Sequence, residues 1–328
     1  MRFPFLVMTG ALLVSGLNLA RAGEAPQLLR TWQSPDRGHV YSANFSPDGK
    51  VLATGGSDVH LWDTASGKLR RTIPIADRPH LGAYAVAFSP DGESLAVGRG
   101  TYGVGEVAVH DLTTGRLIWN DSKTCAPMHV NPVVFVEGGR VLAHLGEGGT
   151  ILCRDVATGK VLRKLRSEYG VYSLASFGDG KTLAAGSWTR GYIHIWDLAS
   201  EKVVQTLRHE EGRNLGTSCI VSSLAYTKDG KALISGLEYK TLRVWDLASA
   251  KPTPAFKSST RFEQVSVAPD GTTFAAAAHL LELPGGKLWA TLPDSEHSDR
   301  GAVAFSPDGR LLVTGASGGT IHLWKLKG

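Results

Sequence analysis

Eleven histidines and 30 acidic side chains give this 328-residue chain the raw material for a metal site or for acid–base catalysis, so their spacing decides. His39, His80, His129 and His297 each stand just before a short β-rich run, and His60, His194 and His322 share one position inside another such run. Residues that recur at a long, regular period belong to successive copies of one unit and are held apart by it, whereas zinc needs its ligands around one point. A structural role is expected for these histidines, and no metal site. Asp48, Asp91, Asp179, Asp229, Asp270 and Asp308 form a carboxylate series, but each sits in a Gly-ended turn, where Asp hydrogen-bonds the turn backbone. No Gly-x-Ser-x-Gly, His-Glu-x-x-His, phosphate loop or Cys-x-x-Cys occurs, and His209-Glu210-Glu211 lacks a further ligand at motif spacing. Cys125, Cys153 and Cys219 are odd in number and fall in different units, which argues against a structural disulfide. No catalytic, cofactor-binding or metal residue is assigned, and no enzyme activity is expected.

The period itself is the main signal. Glycine accounts for 39 residues, well above the usual ~7%, and much of it lies in two turn series. The first runs Phe45-Ser-Pro-Asp-Gly49, Phe88-Ser-Pro-Asp-Gly92, Phe135-Val-Glu-Gly-Gly139, Ser176-Phe-Gly-Asp-Gly180, Tyr226-Thr-Lys-Asp-Gly230, Val267-Ala-Pro-Asp-Gly271 and Phe305-Ser-Pro-Asp-Gly309. The second follows Trp62-Asp63, His110-Asp111, Arg154-Asp155, Trp196-Asp197 and Trp245-Asp246, as in Thr64-Ala-Ser-Gly67 and Ala157-Thr-Gly159; Trp324-Lys325 ends the series. Proline presets φ in the first turn and glycine supplies positive φ at its end, so two strands fold back tightly. Four short strands per unit at about 40–45 residues is the pattern of a propeller blade.

These residues resemble the WD-repeat family of β-propellers, and more closely its bacterial branch, in which Phe-Ser-Pro-Asp-Gly-Lys recurs. The resemblance covers Val40 to Lys327 and implies an all-β, seven-bladed propeller of four-stranded antiparallel blades. The blades are expected near 40–73, 83–120, 130–166, 171–208, 220–257, 262–292 and 300–326. Blade 3 has lost both marks, and blade 6 keeps only its Pro-Asp-Gly turn. The family's buried histidine, Ser/Thr, Asp and Trp network is carried over to blade 1 alone, on His39, Thr54, Asp58 and Trp62. Asp111-Leu-Thr-Thr-Gly115-Arg-Leu-Ile-Trp119 also resembles, once, the tryptophan-docking repeat of quinoprotein dehydrogenases and outer-membrane assembly lipoproteins.

The ends add two expectations. Residues 1–22 have a basic start, an apolar run from Phe3 to Ala20 and Ala20-Arg21-Ala22, the layout of a signal peptide cleaved after Ala22. The chain is then an exported, periplasmic or extracellular protein, with its propeller domain over 23–328. Blade 7 lacks a fourth strand, and Gln27-Leu-Leu-Arg-Thr-Trp32 fits that place, so residues 27–32 are expected to close the ring. The formal net charge of +5 includes Arg2 and Arg21 and forms no basic stripe, so no nucleic-acid partner is expected. Nor is a membrane span expected after signal cleavage, and the mature protein should be a monomer.

Both turn series lie on one face of such a ring, and the irregular loops lie on the other. Variable loops on a rigid scaffold are where binding resides. The partner-binding candidates are therefore Arg78, His80, Tyr102, Trp188, Arg190, His209, Glu211 and Arg213, with Trp188 the one tryptophan outside the repeat. The implied function is a non-catalytic scaffold for a protein or peptide partner, with no cofactor. The alternatives are a small molecule or glycan at the funnel mouth, or a quinoprotein-like or outer-membrane-assembly propeller.

Overall fold

The computed structural model describes residues 25–75, 82–101, 104–123, 125, 132–210, 219–238, 240–258, 262–293 and 301–326. They form seven antiparallel sheets, one per blade, each with its strands in the order inner to outer. Blade 1 runs Ser42–Phe45, Val51–Gly55, Val59–Asp63, Leu69–Ile73. Blades 3 and 6, where the sequence marks are weakest, still have four strands each, from Val133–Val136 to Val161–Arg166 and from Val265–Val267 to Lys287–Thr291. In blade 5 the outer strand is split into Lys251–Pro252 and Phe256–Lys257. Proline lacks the N–H a ladder needs and is confined to edge positions such as this one.

The ring closes as expected. Gln27–Gln33 pairs antiparallel with Thr320–Lys325 and becomes the outer strand of blade 7, with Gln27 opposite Lys325 and Gln33 opposite Thr320. Among the described residues the buried apolar side chains fall into seven clusters, one at each blade junction. At the closing junction Val313, Ile321 and Leu323 of blade 7 pack on Phe45, Leu52 and Trp62 of blade 1.

The first turn series does more than reverse the chain. In blade 1, Ser46 donates to Asp48 at 2.7 Å, Asp48 accepts from Lys50 N at 3.0 Å and Ser46 Oγ accepts from Val51 N at 2.9 Å. The Ser46, Ser89 and Ser306 hydroxyls hold Asp48, Asp91 and Asp308 below the usual carboxylate range, so these acids are committed to their turns. Each proline also lies against the glycine of the next blade's turn. A Cβ at Gly92 would meet Pro47 at 3.4 Å and one at Gly139 would meet Pro90 at 2.8 Å. Both glycines have positive φ, 76° and 93°, so neither tolerates a side chain.

The second series is latched similarly. An outer-strand side chain donates to a carbonyl of the next blade's turn: Arg30 to Ala65 (3.0 Å), Trp119 to Val156 (2.8 Å) and Gln205 to Leu247 (2.8 Å). Trp119 lies over Gly159, where a Cβ would meet its ring at 2.9 Å, so this indole docks as the second resemblance implies. The regular face is thus a set of blade-to-blade ties. A chain lacking residues 25–33 should lose the closing strand, leave Thr320–Lys325 as an open edge, and show a lower Tm and aggregation by light scattering. An unchanged Tm would contradict this role.

Candidate functional site

The expected partner-binding residues separate into three groups. Arg78, His80, Tyr102, Glu211 and Arg213 lie outside the described residues. Trp188 and Arg190 are exposed on the irregular face, in the hairpin of blade 4 between Thr182–Gly186 and Tyr192–Asp197. His209 corrects the expectation. It is fully buried and its Nε2 lies 2.8 Å from Ser235 Oγ, while its ring stands edge-on to Trp245 at 5.2 Å.

The Trp188 hairpin is held by its own polar groups. Ser187 Oγ donates to Thr189 O at 2.6 Å and accepts from Tyr192 N at 2.8 Å, and Gly191 N donates to Cys219 O at 2.9 Å. This leaves Trp188 41% exposed, packed on one side against Tyr172 at 5.1 Å. Beside it Tyr169 and Tyr192 stack at 4.3 Å and 14°. The Arg190 guanidinium lies 6.0 Å from the Tyr169 ring and that of Arg208 lies 4.8 Å from Tyr192. Neither arginine makes an ion pair among the described residues. Tyr172 also lines the small axial channel, about 230 Å³, so this aromatic group adjoins the funnel.

His209 belongs to a recurring interior contact. Trp245 Nε1 donates to the same Ser235 Oγ at 2.7 Å, Trp62 to Thr54 at 2.8 Å and Trp324 to Thr314 at 3.0 Å. Blade 1 therefore has the Thr54–Trp62 half of its expected network, with Asp58 accepting from Ile75 N at 2.8 Å and His39 beside Tyr41 at 5.0 Å. Placing the network in blade 1 alone was too narrow, because blade 5 assembles histidine, serine and tryptophan together. The irregular spacing between His209 and the next repeat hides its position from the sequence.

Blades 2, 3, 4 and 6 depart from this contact, blade 6 with Leu281 and Ala276 in the two places. In blade 4 Ala185 stands where the hydroxyl should be, and Trp196 Nε1 is buried without a partner. In blade 2 His110 takes the tryptophan place opposite Leu95. In blade 3 Arg154 takes it opposite Leu142, with His144 in the hydroxyl place. Arg154 Nε donates to His144 Nε2 at 3.0 Å, its Nη2 pairs with Asp121, and Nη1 donates to Gly159 O at 2.6 Å. His144 Nδ1 then donates to Leu145 O at 3.0 Å, which fixes a neutral tautomer. Burying a charge is tolerable only when it is paired and hydrogen-bonded in this way.

The histidines shared between strands face threonines: His60 meets Thr72 at 3.1 Å, His279 meets Thr291 at 3.3 Å and His322 meets Thr31 at 2.9 Å. Among the described residues no group of three His, Cys, Asp or Glu could hold a metal ion. The three cysteines are buried and unlinked, and burial pushes the Cys125 thiol up to about 12 and Cys153 up to about 11, far from a reactive thiolate.

Comparison with known proteins follows the same division. The family model of the WD domain, G-beta repeat, matches residues 26–63, 202–246 and 286–325. Three segments of the chain are thus similar to WD repeats. Those segments contain the three inner strands of blades 1, 5 and 7 in turn, each after the outer strand of the preceding blade, and these are the three blades that keep the tryptophan–hydroxyl bond. The model of the outer membrane protein assembly factor BamB matches residues 71–207, the arc of blades 2 to 4 with Trp119 and the Trp188 hairpin. The chain is similar to the rice small ribosomal subunit protein RACK1y, 32% identical over 120 residues, 37% of this chain and 35% of that protein. It is also similar to protein ROOT INITIATION DEFECTIVE 3 of Arabidopsis thaliana, 26% identical over 243 residues, 66% of this chain and 54% of that protein. The chain thus spans from 35% to 54% of the length of these relatives.

Two outcomes follow from the interior. Ala185→Ser gives Trp196 Nε1 an acceptor and should stabilise by about 0.5–1.5 kcal/mol, read as a Tm raised by a few degrees; a lowered Tm would refute it. His110 and His144 are pushed down to about 4, first by burial, from an ordinary 6.5. The unfolded chain takes up these protons below pH 6.5 and the folded chain does not. Stability is therefore full above pH 6.5 and falls towards pH 4, by about 1.4 kcal/mol per pH unit for each histidine. Urea unfolding between pH 7.5 and 5 should show the loss, reduced in His110→Gln; a flat wild-type profile would contradict it.

Proposed function

We propose that this WD-repeat propeller is an exported, non-catalytic scaffold that binds a protein or peptide partner through its irregular face. The observation that carries the reading is Trp188. It is 41% exposed on a hairpin whose backbone is held by Ser187, near Arg190 on Tyr169 and Arg208 on Tyr192, two arginines that make no ion pair among the described residues. Exposed Trp and Arg are the residue types that dominate binding energy at interfaces. The opposite face is occupied by turn-to-turn ties and offers the same short loops in every blade. Export is supported by the signal-like layout of residues 1–22.

A second reading is favoured by one observation. The match of residues 71–207 to the outer membrane assembly factor model, together with the docked Trp119, supports a role for the same face in envelope protein assembly. The bacterial, exported character belongs with this reading.

Crosslinking and co-purification from the native envelope test both. Trp188→Ala with Arg190→Ala should lose a partner that the wild type and a regular-face variant, Lys160→Gln, retain. Retention of every partner by the double variant would refute the assignment. The mature N-terminus should begin at Gly23 by mass spectrometry, and a chain that keeps Met1 in the cytoplasm would refute export.

A further inference from the structure

Beside Trp188 lies a cleft of about 470 Å³ between blades 3 and 4, with Trp188 and Tyr169 as walls and Glu168 at its edge. Gly146, Gly148, Gly149 and Gly170 also line it, and a Cβ at Gly170 would meet Trp188 Cβ at 3.3 Å. Thr189 completes the rim, with its hydroxyl 3.4 Å from Tyr169 O. Three features bear on what fits. The walls are aromatic, and aromatic faces attract cations. Glu168 is exposed and makes no ion pair among the described residues. Among the described residues no lysine or arginine lines the cleft, although Arg190 already rests 6.0 Å from the Tyr169 ring. The local chemistry selects a cation and places one of the chain's own at its border.

We propose that this cleft takes a basic side chain of the bound partner segment, its stem along Trp188 and its charge between the aromatic walls and Glu168. This rests on the irregular face being the partner surface. Within the cleft Arg190 is then an internal competitor for the same aromatic electrons, so removing its charge strengthens the uptake of a lone basic side chain there, whatever Arg190 contributes to the rest of the partner, an effect that a purely apolar cleft does not predict.

The test uses the full mature chain and the peptide acetyl-Gly-Gly-Lys-Gly-Gly-amide, with norleucine replacing lysine as the neutral control. Binding is followed by the Trp188 indole N–H resonance at low salt. The lysine peptide should shift that resonance, and the norleucine peptide should bind about two- to fivefold more weakly, as expected for an exposed cation–π contact. Glu168→Gln should weaken the lysine peptide, Arg190→Gln should tighten it, and high salt should reduce the difference from norleucine. Equal binding of lysine and norleucine peptides, no shift of the resonance, or weaker binding in Arg190→Gln would overturn the proposal. If the Trp188→Ala, Arg190→Ala chain loses its captured partner while lysine and norleucine peptides bind alike, the partner surface stands and the basic occupant falls. If the partner is retained as well, both fall.

Discussion

A four-stranded sheet that is apolar on both faces has no stable existence alone, and that constraint governs this molecule. Every blade must be covered on two sides, so the sheets form a closed circle in which each junction holds one cluster of buried side chains. The antiparallel pairing of Gln27–Gln33 with Thr320–Lys325 removes the last open edge and ties the two ends of the described fold into one sheet. Hydrophobic cover is non-directional, so the angular fit of neighbours has to come from elsewhere. It comes from the turns, where Pro47 seats on Gly92 and Pro90 on Gly139 while Arg30, Trp119 and Gln205 bond the next turn's backbone.

How much of this was legible in the sequence follows from the range of each interaction. The Ser-Pro-Asp-Gly turns were readable because proline, aspartate and glycine act within five residues, and their spacing counted the blades. The closing strand was readable because Leu28, Arg30 and Trp32 repeat the outer-strand pattern of other blades. Placement of His209 failed for the opposite reason. Its partners Ser235 and Trp245 lie 26 and more residues away, across an interval of irregular length, so its neighbours in sequence suggested a surface histidine. Arg154 was visible as a lost tryptophan, but its replacement network was not, since Asp121 and His144 come from different strands.

Trp188 shows the converse. It stood out because it broke the repeat, and the fold leaves it exposed. Its environment was illegible: Tyr169 comes from the loop between blades 3 and 4, Tyr192 from a strand, and Arg208 from the outer strand beside it. A site assembled from three segments of irregular length has no period to read. The regular face carries the repeat because it carries the joints, and the irregular face is free of that duty.

Outside blade 6, which has Leu281 and Ala276 in the tryptophan and hydroxyl places, the interior contact and the family matches divide the ring alike. Blades 1, 5 and 7 keep the tryptophan–hydroxyl bond and lie within the WD matches; blades 2, 3 and 4 lie in the arc matched by the other propeller model and have His110, Arg154 or an unpartnered Trp196 in that place. A closed ring permits this. A blade that lacks the bond is still clamped by both neighbours, so the cost of a buried unsatisfied N–H, about 1–3 kcal/mol, is spread over a structure held by seven junctions. The Trp188 cleft lies between blades 3 and 4, inside the divergent arc. Blades 1, 5 and 7 keep the conventional interior and include the closing joint, blade 6 has Leu281 and Ala276 in the two places, and blades 2 to 4 have exchanged that bond for other chemistry and carry the most exposed aromatic group described on the irregular face. Conservation of the joint and divergence at the cleft are therefore two consequences of closure: neighbours fix the position of each blade so firmly that its interior and its loops are free to change.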